Sequence, residues 1–230
     1  MKKYLLGFLI LIALPLMANA FMLYDIDFEP PAYTNGQMVG GGSAGPVSSS
    51  VNGFITQALL LQNGGGISYY APEPYTSGVH RISWDFAVPT EQLAQEIISA
   101  QLNGSSSLDF FTQMTSAGQS VTYPGGSSPF NYAQSYSFEV LMDLDANYYN
   151  FMLDGVLLSD HVGIAADADL SFVSFGQGQY LGLQAGVDNF QWEVNSAIPE
   201  PGTVSLLLLG LPSLCFAYGK LNPRKQTVAQ

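Results

Sequence analysis

Along residues 79 to 88, Val-His-Arg-Ile-Ser-Trp-Asp-Phe-Ala-Val, apolar and polar side chains alternate. Ile82, Trp84, Phe86 and Val88 fall on one face, and Arg81, Ser83 and Asp85 on the other. A period of two is that of a strand with one buried face. Residues 138 to 145 repeat the pattern, with Phe138, Val140, Met142 and Leu144 on one side and Glu139, Asp143 and Asp145 on the other. Tyr149, Phe151 and Leu153 carry it into a further strand. Asp154-Gly155 then predicts a two-residue turn into Val156-Leu157-Leu158, because this dipeptide readily takes the left-handed backbone of a tight hairpin. Phe190, Trp192 and Val194 predict a closing strand, with Gln191 and Glu193 outside.

Fainter strand patterns occupy 23–28, 54–61, 67–70, 107–114 and 171–175. Turn-rich stretches separate them at Gly40–Ser50, Asn63–Gly66, Asn103–Ser107 and Gly125–Pro129. Only Thr90–Ser99 has helical spacing, with Thr90 as cap and Leu93, Ala94, Ile97 and Ile98 on one face. Many half-buried strands joined by turns predict an all-β, antiparallel two-sheet sandwich over residues 21–195. No internal repeat is visible.

The two ends read differently from this body. Residues 1–20 form a signal peptide: Lys2 and Lys3 begin it, Leu5–Leu16 is its apolar stretch, and Ala18-Asn19-Ala20 is the cleavage site. An uncut signal anchor is the alternative. Residues 196–202 are a linker holding Pro199-Glu200-Pro201. Residues 203–219 are an apolar run, roughly 26 Å long as a helix, which is the short limit for a bilayer span. Residues 220–230 form a basic tail with Lys220, Arg224 and Lys225, which predicts a cytoplasmic end and a body outside. The prolines keep the preceding chain extended, where a processing enzyme can grip it.

The stretch from Ile198 to Leu211, Ile-Pro-Glu-Pro-Gly-Thr-Val-Ser-Leu-Leu-Leu-Leu-Gly-Leu, followed by basic residues, resembles the PEP-CTERM sorting signal. The resemblance implies recognition by an exosortase after signal peptidase has acted. It further implies removal of the tail and a place at the surface or in the matrix of an exopolysaccharide-producing Gram-negative bacterium. The basic residues here are spread rather than clustered, a departure from that pattern. An ordinary C-terminal membrane anchor is the competing reading. A second resemblance is of pattern and order. Asp25-Ile-Asp-Phe-Glu-Pro, the segment Asp143 to Gly155, and Val187-Asp-Asn-Phe-Gln-Trp-Glu-Val resemble the concanavalin A-like, laminin-G-like jelly roll. That resemblance implies paired first and last strands and a fold that serves both as a glycan binder and as a plain scaffold.

Charge sharpens the picture. Between Phe21 and Pro201 lie all 18 acids and one arginine, Arg81, a formal −17. Such a body repels nucleic acid and anionic lipid. It predicts Arg81 beside carboxylates. The single cysteine, Cys215, lies in the apolar run, so the body has no disulfide or thiol chemistry.

Candidate chemistry is sparse. Glu139, Asp143 and Asp145 have neither the identities nor the spacing of a glucanase on this scaffold, though Asp143 and Asp145 are separated suitably for an acid/base pair. His80 lies on the core face and His161 in a loop, neither in a nucleophile-elbow setting. Asp143, Asp145 and Asn147 resemble the start of a calcium loop and are candidates for a structural calcium, with Asp167 and Asp169 as further oxygens. The alternative is a solvated acidic rim. Tyr69, Tyr70, Tyr75, Tyr123, Tyr132 and Tyr136 are candidate platforms for a sugar. The reading is a non-enzymatic surface or matrix protein, glycan-binding in one version. A polysaccharide-active hydrolase on the same sandwich is the alternative, separated from it by whether paired carboxylates line a cleft.

Overall fold

The alternating segment around Trp84 is a strand at the middle of the larger of two sheets. The computed structural model describes residues 19–39, 45–92, 96–104, 109–115, 119–177 and 183–196. Its strands are β1 (Asn19–Ile26), β2 (Met38–Val39), β3 (Gly45–Ser48), β4 (Ala58–Gln62), β5 (Gly66–Tyr75), β6 (Val79–Ala87), β7 (Glu96–Asn103), β8 (Asp109–Thr115), β9 (Ser120–Tyr123), β10 (Gly126–Pro129), β11 (Ser135–Asp143), β12 (Tyr148–Leu153), β13 (Val156–Gly163), β14 (Leu170–Gln177) and β15 (Gln184–Ser196). The nine-stranded sheet runs β13-β12-β11-β6-β15-β4-β3-β2, with β1 also beside β15. The six-stranded sheet runs β10-β9-β8-β7-β14-β5. No helix occurs among the described residues, and so none there is long and apolar enough to cross a membrane. Ala20–Asn195 forms one unit by its internal contacts. Beyond it, all but Asn19 and Ser196 lie outside the described residues, including Ala18, Pro199, Glu200, Pro201 and the apolar run 203–219.

Period two becomes a dry interior. Ile82, Trp84 and Phe86 from β6 face inward with Phe138 and Val140 from β11 and Phe151 from β12, all fully buried. Ala100, Leu102, Phe110 and Val173 meet them from the other sheet, also fully buried. Each such large side chain contributes about 1.5–3 kcal/mol by leaving water. The Trp84 ring bridges the layers: it stacks on Phe138 at 5.5 Å in its own sheet and meets Phe175 of β14 at 5.7 Å. The β12–β13 turn has both central residues left-handed, Asp154 at φ 50° and Gly155 at φ 74°, with Leu153 opposite Val156. The Asp154 carboxylate also accepts the Ser137 amide at 2.8 Å, tying the hairpin tip to β11.

Two features of the sheets are testable, one outside and one inside. Arg81 faces outward and donates to Glu139 at 2.8 Å, as the charge distribution leads one to expect. Because Arg81 is 49% exposed, Arg81→Gln is expected to change the free energy of urea unfolding by no more than about 1 kcal/mol. Tyr69 is buried, and its hydroxyl has no hydrogen-bond partner among the described residues. Burial holds that phenol well above its ordinary pKa. Tyr69→Phe removes the unpaired group and is expected to leave stability unchanged or raise it by about 1 kcal/mol. A loss of that size in thermal unfolding would mean the hydroxyl has a partner after all.

The helix expected at Thr90–Ser99 is not one: its C-terminal part is strand β7. Pairing with β8 shifts register between Glu96 and Ile98, a bulge, and both Ile97 and Ile98 are fully buried. Two successive apolar residues on one face mimic a helical period when they stem from a bulge. Two turn-rich stretches also hold strands. β3 lies within 40–50 and β10 within 125–129. Glycine suits β3 because Gly45 sits at φ 138°, where a Cβ would collide with the Leu60 carbonyl.

Candidate functional site

The acids expected to begin a calcium loop lie at the β11–β12 turn and serve to close it. Asp143 accepts the Ala146 amide at 2.8 Å, and Asp145 accepts the Gly78 amide at 3.1 Å. Asn147 takes a left-handed backbone at φ 59°, and its carbonyl accepts the Ile164 amide at 3.0 Å. Among the described residues no three carboxylate, imidazole or thiol groups converge closely enough to hold a metal ion. His80 is fully buried; its Nδ1 accepts the Trp192 indole N–H at 3.3 Å, which leaves its Nε2–H for the Ser77 carbonyl at 3.2 Å. Burial pushes this imidazole below its usual pKa, so it packs as the neutral form. His161 is exposed, lies over the Tyr148 ring at 4.3 Å and contacts Asp160. Of the six tyrosines, Tyr69 and Tyr136 belong to the core, and Tyr75, Tyr123 and Tyr132 are half-buried. Tyr70 alone among them is largely exposed, at 63%.

A second carboxylate pair is visible only in the fold. Asp188 lies opposite Asp85 in the β15–β6 register, immediately before a bulge at Asn189 and Phe190. The bulge turns Asn189 left-handed, at φ 50°. Its backbone N–H then donates to Asp188 and its side-chain amide donates to Asp85, each at 2.8 Å. Thr56 Oγ1 donates to the other Asp188 oxygen at 3.4 Å. Asp188 is 1% exposed. Its carboxyl is pushed up to about 7, by burial first, with Asp85 and Glu29 adding like charge. A carboxyl that titrates near neutrality beside a second carboxylate is the pattern of a general acid/base pair, and here the Asp188 member is buried.

The third feature is a face. In β14, Phe172, Ser174 and Gly176 point away from the core, between the inward Val173, Phe175 and Gln177. Register places Phe172 between Tyr70 and Asn103, and Ser174 between Ser68 and Gln101. Gly176 lies between Gly66 and Ser99, and that row continues through Gln113 to Thr122. The Tyr70 and Phe172 rings pack together with centroids 5.5 Å apart. Strands lie about 4.8 Å apart, so amides and hydroxyls recur at that spacing across the outer surface. Sequence reading missed this face because Ser99 and Gln101 stood in or beside a supposed helix. The signal for it was there: Ser99, Gln101 and Asn103 alternate with Ile98, Ala100 and Leu102.

These layers define a two-sheet antiparallel sandwich of the jelly-roll kind. No protein-family model matches the sequence, and no curated protein sequence matches it. Among solved structures the chain is similar to a sialidase, with a TM-score of 0.53 and 13% identity over 77% of this chain, and it spans only 19% of that protein. It is similar at the same TM-score of 0.53 to the carbohydrate esterase of the Shiga toxin-encoding bacteriophage phi24B, with 12% identity over 77% of this chain and 100% of that one. At such identities the likeness is one of fold, and fold alone does not carry function.

Proposed function

We propose that this is an exported, non-enzymatic sandwich protein that binds a glycan across the outer face of its six-stranded sheet. The observation that carries the reading is the array of uncharged hydrogen-bonding side chains beside the Tyr70–Phe172 pair, whose tyrosine is exposed and whose phenylalanine is half-buried. Hydroxyls and carboxamides both donate and accept, as sugar hydroxyls do, and an aromatic ring takes the apolar face of a sugar. A carbohydrate esterase on this fold is consistent with sugars as ligands. The full chain is expected to bind on a glycan microarray, and Tyr70→Ala to weaken that binding by at least about tenfold, or about 1.4 kcal/mol. Arg81→Gln, on the other sheet, is expected to leave it unchanged. Retained binding in Tyr70→Ala would move the ligand off this face.

The ends supply the destination. The signal sequence closing on Ala20, and Pro199-Glu200-Pro201 with the apolar run and basic tail, support export and exosortase processing to the surface or matrix of a Gram-negative bacterium. Secreted protein is then expected to lack both end segments by intact mass. Full-length chain recovered from the membrane would count against it. A hydrolytic reading has one observation in its favour, the Asp85–Asp188 pair with a carboxyl near pKa 7. It requires release of reducing ends from the bound glycan and loss of that release in Asp188→Asn.

A further inference from the structure

The two outer faces carry charge very unequally. On the nine-stranded sheet, outward positions include Asp85, Glu139, Asp143 and Glu193 beside Arg81. Arg81 is the only arginine or lysine among the described residues, and it is engaged by Glu139 at 2.8 Å. The three rows of β5, β14 and β7 on the six-stranded sheet hold Tyr, Phe, Ser, Gly, Gln and Asn alone. Where the first of them continues to β8, the register position beyond Asn103 belongs to Asp109, an acid. The face therefore offers a carboxylate, sulfate or phosphate no cation, and the surrounding formal charge of −17 (one arginine against 18 acids) repels one. A polycation would be drawn to the acids of the opposite sheet instead.

Gly176 adds a second observation. Its backbone is not left-handed, and a Cβ there would meet nothing nearer than the Ser99 hydroxyl at 3.7 Å. Neither the backbone nor the packing requires glycine at this position. Its effect, with Gly66 directly across from it, is to keep the end of the face away from Tyr70 low. From Gly66 to Tyr70 along β5 is four residues, roughly 13 Å, longer than one sugar ring.

Resting on the glycan reading above, we infer that the face takes an uncharged oligosaccharide, lying along β5 and β14 from the Gly66–Gly176 pair to a stacking contact on Tyr70. The test is calorimetric titration of the full chain with neutral hexasaccharides of glucose, mannose and galactose, a uronic-acid hexamer and a glucosamine hexamer. A neutral hexasaccharide is expected to bind, with affinity changing less than about twofold between about 50 mM and about 500 mM salt. Gly176→Leu is expected to weaken it by at least about tenfold while the melting temperature holds or rises, since glycine disfavours a strand. Binding of the uronate or glucosamine hexamer that is lost in Tyr70→Ala would overturn the ligand class and leave the binding face standing. Neutral binding untouched by both Gly176→Leu and Tyr70→Ala would overturn the face, and the glycan reading of it as well. Failure of every hexamer to bind would do the same.

Discussion

Replacing Asp188 with asparagine is expected to stabilise the protein at pH 8 by about 2–4 kcal/mol and to leave it little changed near pH 3.5. The cause is a buried carboxyl whose folded pKa is about 7 against an ordinary 3.8. Between those values the folded state holds a proton that the unfolded state has lost, so stability falls as pH rises through the window. Below it both states are protonated and the penalty is absent; above about 7 both are ionised and the penalty is complete. Asparagine keeps an oxygen for the Asn189 amide, which Asp188 now accepts at 2.8 Å. It removes the charge that burial, Asp85 and Glu29 oppose. His80 contributes with the opposite sign: its lowered pKa makes the unfolded state bind more protons, so stability falls as pH drops below about 6.5. The two slopes overlap, and the difference between wild type and Asp188→Asn in urea unfolding across pH isolates the Asp188 share. Parallel profiles for the two proteins would show that Asp188 ionises in the fold as freely as out of it.

Trp84→Ala is expected to cost about 3–5 kcal/mol, enough to unfold a marginal domain. Its ring is fully buried and contacts Phe86 and Phe138 in its own sheet and Phe110 and Phe175 in the other. Truncation removes the shared wall between the layers, and close-packed neighbours refill such a void only in part. Trp84→Phe separates volume from polarity. The indole N–H is buried with no acceptor among the described residues. Losing it returns about 1 kcal/mol, which offsets much of the volume change, a cost below about 2 kcal/mol. Thermal unfolding of the two variants should therefore differ by several degrees. A cost well above about 2 kcal/mol for Trp84→Phe against the unmutated protein would mean that the N–H is satisfied.

Both variants sit on strands that a reader of the sequence can find. β6, β11 and β12 are legible because one face is dry and the other wet, so every second residue reports its surroundings. The Asp154-Gly155 turn is legible because few residue types enter the left-handed region twice in succession. β7 is not, since its bulge puts Ile97 and Ile98 on the same side and breaks the period that identifies a strand. β3 and β10 are not, since Gly, Ser and Pro mark turns more often than they pair. The acid pair lay further out of reach. Asp85 and Asp188 are brought together by a register between strands about a hundred residues apart, and Asn189 meets Asp85 only because a bulge turns its backbone. Tyr70 stood among six tyrosines, and the sequence held no way to tell which would point outward.

The position of β15 bears on how the chain can fold at all. This strand is the last among the described residues, yet it lies between β6 and β4 and also holds β1. A ribosome therefore releases the centre of the larger sheet after everything that flanks it. Until residues 184–196 have emerged, β6 and β4 each present an open hydrogen-bonding edge, and Phe190 and Trp192 are missing from the interior. Partial chains thus expose the edges on which strands from different molecules pair. The sandwich closes as a late, long-range event, slow by its topology. A product that ends before Gln184 leaves a split sheet, prone to join another copy of itself.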